Sequence, residues 1–291
     1  MKRLLGLAAV MVLTLGVAQA QQSKTAPVQR TPVELSQSAI QGDNLSLGQL
    51  TALAGSGSAD AQFYLGAMYG AGMRQEAAQA VEWYRDEYEH RAGVPTDAAQ
   101  AVAWFRKAAA QGDARAQNNL GVMYDDGKGV KKDAVQAVDW FRKAAEQGNT
   151  HAQANLGEMY AYGTGVRKDA AQAVAWFRKA AAQGDARAQN NLGVMYAGGD
   201  GVPKDTAQAV DWFRKAAESG DKDGQFNLGR VYARGEGVTR DYVAAYMWAS
   251  LAAAQESGKV AKTVRDDLEK RMSPTQIAEA QKLSREWKPT K

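Results

Sequence analysis

The sequence predicts an all-α fold, a right-handed α/α superhelical solenoid of 36-residue helical hairpins with capping helices at both ends. Three periodic features lead to this prediction, because a repeat of this length is typical of stacked helical units. Tryptophan recurs every 36 residues, tyrosine precedes each tryptophan by 16 residues, and a pair of glycines falls between them. The positions are Trp104, Trp140, Trp176, Trp212 and Trp248, then Tyr88, Tyr124, Tyr160, Tyr196 and Tyr232, then Gly127/Gly129, Gly163/Gly165, Gly199/Gly201 and Gly235/Gly237.

One unit, residues 113–148, indicates how each repeat folds. Asp113 and Asp133 stand where aspartate caps helices, so the unit predicts two helices joined by a glycine loop. Each helix carries one apolar stripe that a lone hairpin cannot bury, and neighbouring hairpins therefore stack. Gly121 recurs in each unit inside the first helix, where glycine is costly, and this predicts close approach of a neighbouring backbone. The stripes are Ala116, Leu120 and Tyr124 in the first helix and Ala137, Trp140, Phe141 and Ala144 in the second.

The repeats resemble a known family. The segments 154–184 (ANLGEMYAYGTGVRKDAAQAVAWFRKAAAQG) and 190–220 (NNLGVMYAGGDGVPKDTAQAVDWFRKAAESG) are similar to the Sel1-like repeat, a relative of the tetratricopeptide repeat. The resemblance covers about residues 59–255. It implies an α/α superhelix that serves protein–protein interaction and has no shared catalytic residues.

The N-terminus has the pattern of a secretory signal. Lys2 and Arg3 precede an apolar run over 4–17, and Ala18-Gln19-Ala20 forms an A-x-A cleavage site. We therefore expect a signal peptide over 1–20, cleavage after Ala20, and a periplasmic or secreted protein without membrane attachment after cleavage. The alternative is an N-terminal membrane anchor, for which the apolar run is short.

The remaining segments are assigned in order along the chain. We expect a flexible linker over 21–43, an N-terminal capping helix over 44–58, repeats over 59–256, and two C-terminal capping helices within 257–291. The second repeat is predicted to be truncated near 84–92, where either one distorted helix continues through the junction or the solenoid breaks. The C-terminal helices are expected over about 259–272 and 274–287, the latter with a Ser273 capping box.

The composition offers few residues for catalysis or metal binding. The chain has no cysteine and two histidines, and its net charge of +4 includes Lys2 and Arg3. We predict no catalytic residue, no metal site and no cofactor, and we predict that the protein is not an enzyme. The alternative class is a cell-envelope enzyme or a protein that binds β-lactams or peptidoglycan. Nucleic acid is not an expected partner, because acidic residues interleave with the recurring Arg-Lys pairs; we expect Asp139–Lys143 and Arg142–Glu146 pairs on a solvated face.

The predicted site is a partner-binding groove on the concave face of the first helices. Its residue types differ from unit to unit, and such a mixed polar surface suits an extended peptide or a protein loop. We expect a monomer that binds a protein or peptide. By contrast, the recurring Asn119, Asn155, Asn191 and Asn227 are predicted to make structural hydrogen bonds, and the tryptophans are predicted to be core. The candidate contact residues are Arg115, Asn118, Val122, His151, Glu158, Arg187, Asn190, Asp223, Phe226 and Arg230.

Overall fold

The computed structural model describes residues 30–70, 97–255 and 259–290, which form fourteen α-helices and no strand. The helices are α1 (Pro32–Ile40), α2 (Asn44–Gly55), α3 (Ala59–Tyr69), α4 (Ala98–Ala110), α5 (Ala114–Asp126), α6 (Ala134–Glu146), α7 (Thr150–Tyr162), α8 (Ala170–Ala182), α9 (Ala186–Gly198), α10 (Thr206–Glu218), α11 (Lys222–Arg234), α12 (Tyr242–Ala254), α13 (Lys259–Glu269) and α14 (Pro274–Glu286).

These helices stack as the predicted α/α solenoid. The first helices of the hairpins are α3, α5, α7, α9 and α11, and each packs against the second helix that follows it, namely α4, α6, α8, α10 and α12. Each second helix then packs on the first helix of the next hairpin. First helices also contact one another directly, as α7 does with α9 and α9 with α11. The first helices therefore line the inner, concave side of the array.

Aromatic rings, rather than backbone, explain the glycines inside the first helices. A Cβ atom on Gly121 would lie 2.5 Å from the ring of Phe141, which is only 2% exposed. The predicted close approach of a neighbouring backbone is therefore wrong for this unit. It holds only at Gly229, where Ala249 replaces the phenylalanine and a Cβ atom would lie 3.1 Å from the carbonyl oxygen of Ala245.

The loop glycines join one repeat to the next. Gly127 ends α5 with φ +74°, and Gly129 follows with φ +67°, a conformation that side chains rarely adopt. A Cβ atom on Gly129 would clash with the carbonyl group of Ala98 at the start of the preceding second helix. The loop thus lies directly on the previous repeat, and this contact requires glycine.

Buried glutamines on the first helices bond both to the preceding helix and, in four of the five described hairpins, to the end of their own second helix. Gln117 donates to the carbonyl oxygen of Ala109 at 3.2 Å and accepts a 2.7 Å hydrogen bond from Gln147 at the end of α6. The same two bonds recur around Gln62, Gln153 and Gln225.

One hairpin lacks the second glutamine. Ser219 stands at the end of α10, where the other second helices are followed by glutamine. Gln189 still donates to the carbonyl oxygen of Ala181, but its buried Oε1 has no hydrogen-bond partner.

The tryptophans are less buried than predicted. Trp140 is half-buried, and Lys143 lies over its ring at 4.2 Å from the centroid. The same stacking recurs at Trp104, Trp176 and Trp212, whereas Trp248 is buried. The predicted Asp139–Lys143 pair is accordingly wrong, because Asp139 pairs with Arg142 at 3.1 Å.

The first described hairpin joins distant segments. The amide of Asp97 donates to the carbonyl oxygen of Tyr69 at 2.9 Å, as Asp133 does to Tyr124 in a regular unit. A Cβ atom on Gly66 would meet the ring of Phe105 at 2.6 Å, again as in a regular unit. Helices α3 and α4 therefore form one hairpin of the usual geometry. The truncation predicted near 84–92, and the choice between a continuous helix and a break, lie outside the described residues.

The segment before the repeats corrects one prediction. Residues 32–40, within the predicted flexible linker over 21–43, form α1. Thr31 and Glu34 make a capping box with Pro32 at the first position, and Leu35 and Ala39 are 2% exposed against the core. Helix α2 lies within the predicted N-terminal cap and contributes the fully buried Leu50.

The C-terminal helices α13 and α14 cap the other end, as predicted. Ser273 makes the expected capping box with Gln276 at the start of α14. After α14, the ring of Trp287 packs edge-on against Trp248 with centroids 5.9 Å apart, and the Thr290 amide donates to the carbonyl oxygen of Glu218 at 2.8 Å. Within the described ranges, we find no helix with the length and apolar character to cross a membrane.

Candidate functional site

The candidate residues lie on the first helices at fixed distances from each N-cap. These distances are two, five and nine residues, as for Arg115, Asn118 and Val122 after the cap Asp113. The structure divides the ten candidates into residues that hold neighbouring repeats together and residues that leave groups open to solvent.

Two candidates, Asn118 and Asn190, are buried between repeats and leave little surface for a partner. Asn118 is 2% exposed and accepts a 3.1 Å hydrogen bond from the side chain of Asn155 in the next repeat. Asn190 is 8% exposed and accepts a 2.8 Å bond from Asn227. The predicted structural role of the recurring asparagine is thus confirmed at these donors. Asn191 instead donates to the carboxylate of Glu158 at 3.3 Å, because the position equivalent to Asn118 in that repeat is Ala154, whose side chain has no acceptor.

Arg115 is held by three groups. Its guanidinium donates to the carboxylates of Asp113 and Asp60, and it stacks on the ring of Phe63 at 4.2 Å from the centroid. Burial acts to lower the pKa of Arg115, but these two hydrogen bonds raise it above its ordinary value. Arg115 therefore connects the first two described repeats and has little freedom to follow a partner.

The middle of the concave face carries a polar chain across α7 and α9. Arg187 donates to Asn155 at 3.1 Å and lies 3.6 Å from the carboxylate of Glu158. His151 Nδ1 lies 3.5 Å from the carboxylate of Asp185. These candidates are one-quarter to one-third exposed, so their outer atoms still face solvent while their inner atoms join repeats.

The candidates on α11 make fewer contacts between repeats than those on α5, α7 and α9. Arg230 is half-buried, and its Nε is shielded from solvent without a hydrogen-bond partner. Phe226, one turn earlier on α11, is half-buried, and Asp223 is exposed. Val122 is half-buried and packs against the core, which leaves it a small exposed area.

One further groove residue, Tyr162, was missed in the sequence, whereas Val194 is the equivalent of the candidate Val122 two repeats further along. Tyr162 is 76% exposed one turn beyond Glu158, and Val194 is 44% exposed on α9. The Glu158–Asn191 bond joins the two helices, and Tyr162 and Val194 lie four and three residues beyond the bonded positions. The available signal was Tyr162 itself, since the equivalent residues are Asp126, Gly198 and Arg234.

Two capping aspartates, Asp185 and Asp221, lie at the N-terminal ends of α9 and α11. Burial raises the pKa of Asp221 to about 6, and the nearby carboxylates of Asp223 and Asp185 add to this effect. Burial also acts to raise the pKa of Asp185, but hydrogen bonds from His151 and from the Ala188 amide, together with Arg187, bring it below its usual value. Asp221 is therefore the carboxylate whose charge is poorly compensated.

The described ranges contain no group of three or more His, Asp or Glu side chains arranged to hold a metal ion. His151 contacts the helix-capping Asp185, an interaction between repeats. The second histidine, His90, lies outside the described residues.

Comparison with known families gives a match over most of the chain. The family model of the Sel1 repeat matches residues 59–85, 86–113, 114–149, 150–185, 186–221 and 222–257. The first two matches contain α3 and α4, the helices that pack as a single hairpin. A search of the curated proteins finds no match.

Two solved structures share the architecture. A Sel1 repeat protein from Oxalobacter formigenes is 29% identical and superimposes with a TM-score of 0.70 over 89% of this chain and 97% of that chain. A protective antigen present in uropathogenic Escherichia coli strains, described as displaying an SLR fold, is 38% identical with a TM-score of 0.58 over 82% of this chain. The present chain spans 56% of the length of that antigen.

Proposed function

The chain belongs to the Sel1 repeat family, and from this premise we propose that it is an exported, non-catalytic scaffold that binds a protein or peptide in the groove of its first helices. The monomer is the binding unit. The observation that carries the proposal is the contrast between constant and variable positions within one chain.

The constant positions are those that build the frame. Every described repeat uses the same buried glutamine on the first helix, and all but the last pack a second-helix phenylalanine against the first-helix glycine. The groove positions vary instead, as in the series Asp60, Arg115, His151, Arg187 and Asp223. A stacked scaffold can vary such solvent-facing groups without disturbing its packing, and repeat arrays use their concave surfaces in this way.

The exposed groups indicate the partner's chemistry. Tyr162 and Val194 offer an apolar surface, and aromatic residues are enriched where interfaces carry most of their binding energy. Arg230 adds a half-buried cation further along the groove. An extended segment with an apolar side chain followed by a carboxylate fits this surface.

Export is a separate part of the proposal and rests on residues 1–20 alone. Fractionation of cells that produce the full chain, followed by N-terminal sequencing, tests it. We expect the protein in the periplasm or the medium with Gln21 as its first residue. Recovery in the cytoplasm with an intact N-terminus would contradict export.

The groove is tested by affinity capture with the mature protein as bait and mass spectrometry of the captured proteins. A Val194→Asp/Arg230→Glu variant should lose a partner that the wild type retains, since it places charge on the apolar surface and reverses the charge at position 230. The matched control is Val135→Asp/Arg167→Glu, which makes the same changes at exposed positions outside the first helices. Equal capture by all three proteins would contradict binding in the groove.

A further inference from the structure

A basic pocket lies outside the groove, between the end of α4, the end of α5 and the loop that enters α6. Its volume is about 640 Å³, and its lining includes Arg106, Lys131 and Lys132 together with Tyr124 and Gln136. The only carboxylate in the lining belongs to Asp133. The lining thus contains three cationic residues and one acidic residue.

Among the described residues, no ion pair neutralises these cations. In the next repeat, Arg142 pairs with Asp139 at 3.1 Å, but the residue three before Arg106 is Ala103. No ion pair involves Lys131 or Lys132 in the part of the chain that the structure describes. The charge therefore stays available to a ligand.

The arginine is also held in place for an anion. Arg106 donates one Nη2 bond to the hydroxyl of Tyr124 at 2.8 Å, which holds the guanidinium at the pocket wall, and its other N–H groups bond to no described residue. The Oδ1 atom of Asp133 caps α6 by accepting from the amides of Val135 and Gln136. Those amides are thus already occupied, and the pocket recognises a ligand through its side chains.

We propose that this pocket binds a phosphate dianion, either as free phosphate or as the terminal group of a phosphomonoester. Three cations and one carboxylate leave two positive charges, which a dianion balances. The guanidinium fork suits phosphate oxygens, and the two lysines act as adjacent point charges. The site is independent of the groove proposed above, since none of its lining residues belongs to the contact set.

Isothermal titration of the full mature chain with inorganic phosphate tests the site. We expect saturable binding in the wild type and at least about tenfold weaker binding in Lys131→Gln/Lys132→Gln, as expected for the loss of charge-assisted hydrogen bonds. Glucose 6-phosphate in a parallel titration distinguishes the two sources of the dianion. Tighter binding of the ester indicates a phosphomonoester, and equal binding indicates free phosphate.

The matched control is Arg167→Gln/Lys168→Gln, which removes the same two charges from the equivalent loop of the next repeat. We expect this variant to bind phosphate like the wild type. No binding by the wild type, or equal weakening in both double variants, would overturn the proposal, because attraction to the overall charge would then account for any effect.

Discussion

The glutamine hydrogen bond that one hairpin lacks leads to a prediction of increased stability. At the end of α10, Ser219 replaces the glutamine that would donate to the buried Oε1 of Gln189. The backbone there has φ −77° and ψ −1°, close to the −81° and 2° of Gln147, which makes this bond in an intact hairpin. Ser219→Gln should therefore restore the hydrogen bond without backbone rearrangement.

The expected gain follows from the geometry. A net intramolecular hydrogen bond contributes about 1 kcal/mol, and satisfying an acceptor that is already buried contributes at the upper end of this range. Ordering a new glutamine side chain costs part of this gain, although Gln147 itself stays largely exposed. We expect the free energy of unfolding to rise by about 0.5–1.5 kcal/mol, and the melting temperature by a few degrees.

Urea unfolding followed by circular dichroism measures this change. Ser219→Ala is the control for helix propensity and should have a much smaller effect. Gln147→Ser makes the reverse change in an intact hairpin and should lower the free energy of unfolding by about 1–2 kcal/mol, because it leaves the Oε1 of Gln117 without its donor. If Ser219→Gln and Gln147→Ser both leave stability unchanged, the glutamine bonds do not hold the hairpins together.

Three further changes test other parts of the fold. Asp221→Asn should stabilise the protein at pH 7 by up to about 3 kcal/mol, because burial raises the pKa of this carboxyl to about 6. Asparagine can still cap the helix, as Asn149 does for α7. When the pKa of a carboxyl is higher in the folded state than in the unfolded state, its ionisation destabilises the fold as the pH rises from about 4 through 6. The stability advantage of the variant, measured from unfolding curves, should therefore vanish below about pH 4. An advantage that stays constant with pH would contradict this. Gly121→Ala should lower the free energy of unfolding by about 1–3 kcal/mol, because the new methyl group would clash with the ring of Phe141. Gly48→Ala, which has no neighbouring atom within 4 Å of its new methyl group, should stabilise α2 by about 0.5–1 kcal/mol. Equal melting temperatures for the two variants would contradict the packing argument. Trp287→Ala should lower the midpoint of thermal unfolding by removing its ring contact at the C-terminal cap, an aromatic pair of about 1 kcal/mol beyond its buried area; an unchanged midpoint would mean that the last residues do not cover the array.

The repetitive part of the fold was predictable because the same signals occur in every unit. Asp133 caps α6 and Gly127 ends α5 in the left-handed conformation, as the sequence indicates. The same capping and terminating residues recur in successive repeats, so a helix end that is ambiguous in one repeat can be assigned from the next.

The wrong predictions concern residues whose packing partner the sequence does not show. Gly121 indicated a close contact, yet the sequence could not distinguish a backbone from the ring of Phe141, which lies on the other helix of the hairpin. Helix α1 was missed because the polar composition of residues 21–43 outweighed one capping box at Thr31. Its stability comes from burying Leu35 against later helices, a contact between distant segments.

The candidate groove was predicted only in outline. Helical spacing predicted which positions share the face, but it could not separate Arg230, which is half-buried, from Asn118, which is 2% exposed and bonded to the next repeat. That difference depends on how far neighbouring first helices are offset. Tyr162 was overlooked for a related reason, since its exposure depends on the register between α7 and α9.

Site-specific photo-crosslinking in producing cells tests binding in the groove most directly. A photoreactive phenylalanine analogue placed at Val194 samples the concave face, and the same analogue at Val135 samples an exposed position on the outer helix α6. We expect a discrete crosslinked partner from Val194 and none from Val135. A partner that crosslinks equally from both positions, or only from Val135, would contradict the assignment of the first-helix groove as the binding surface.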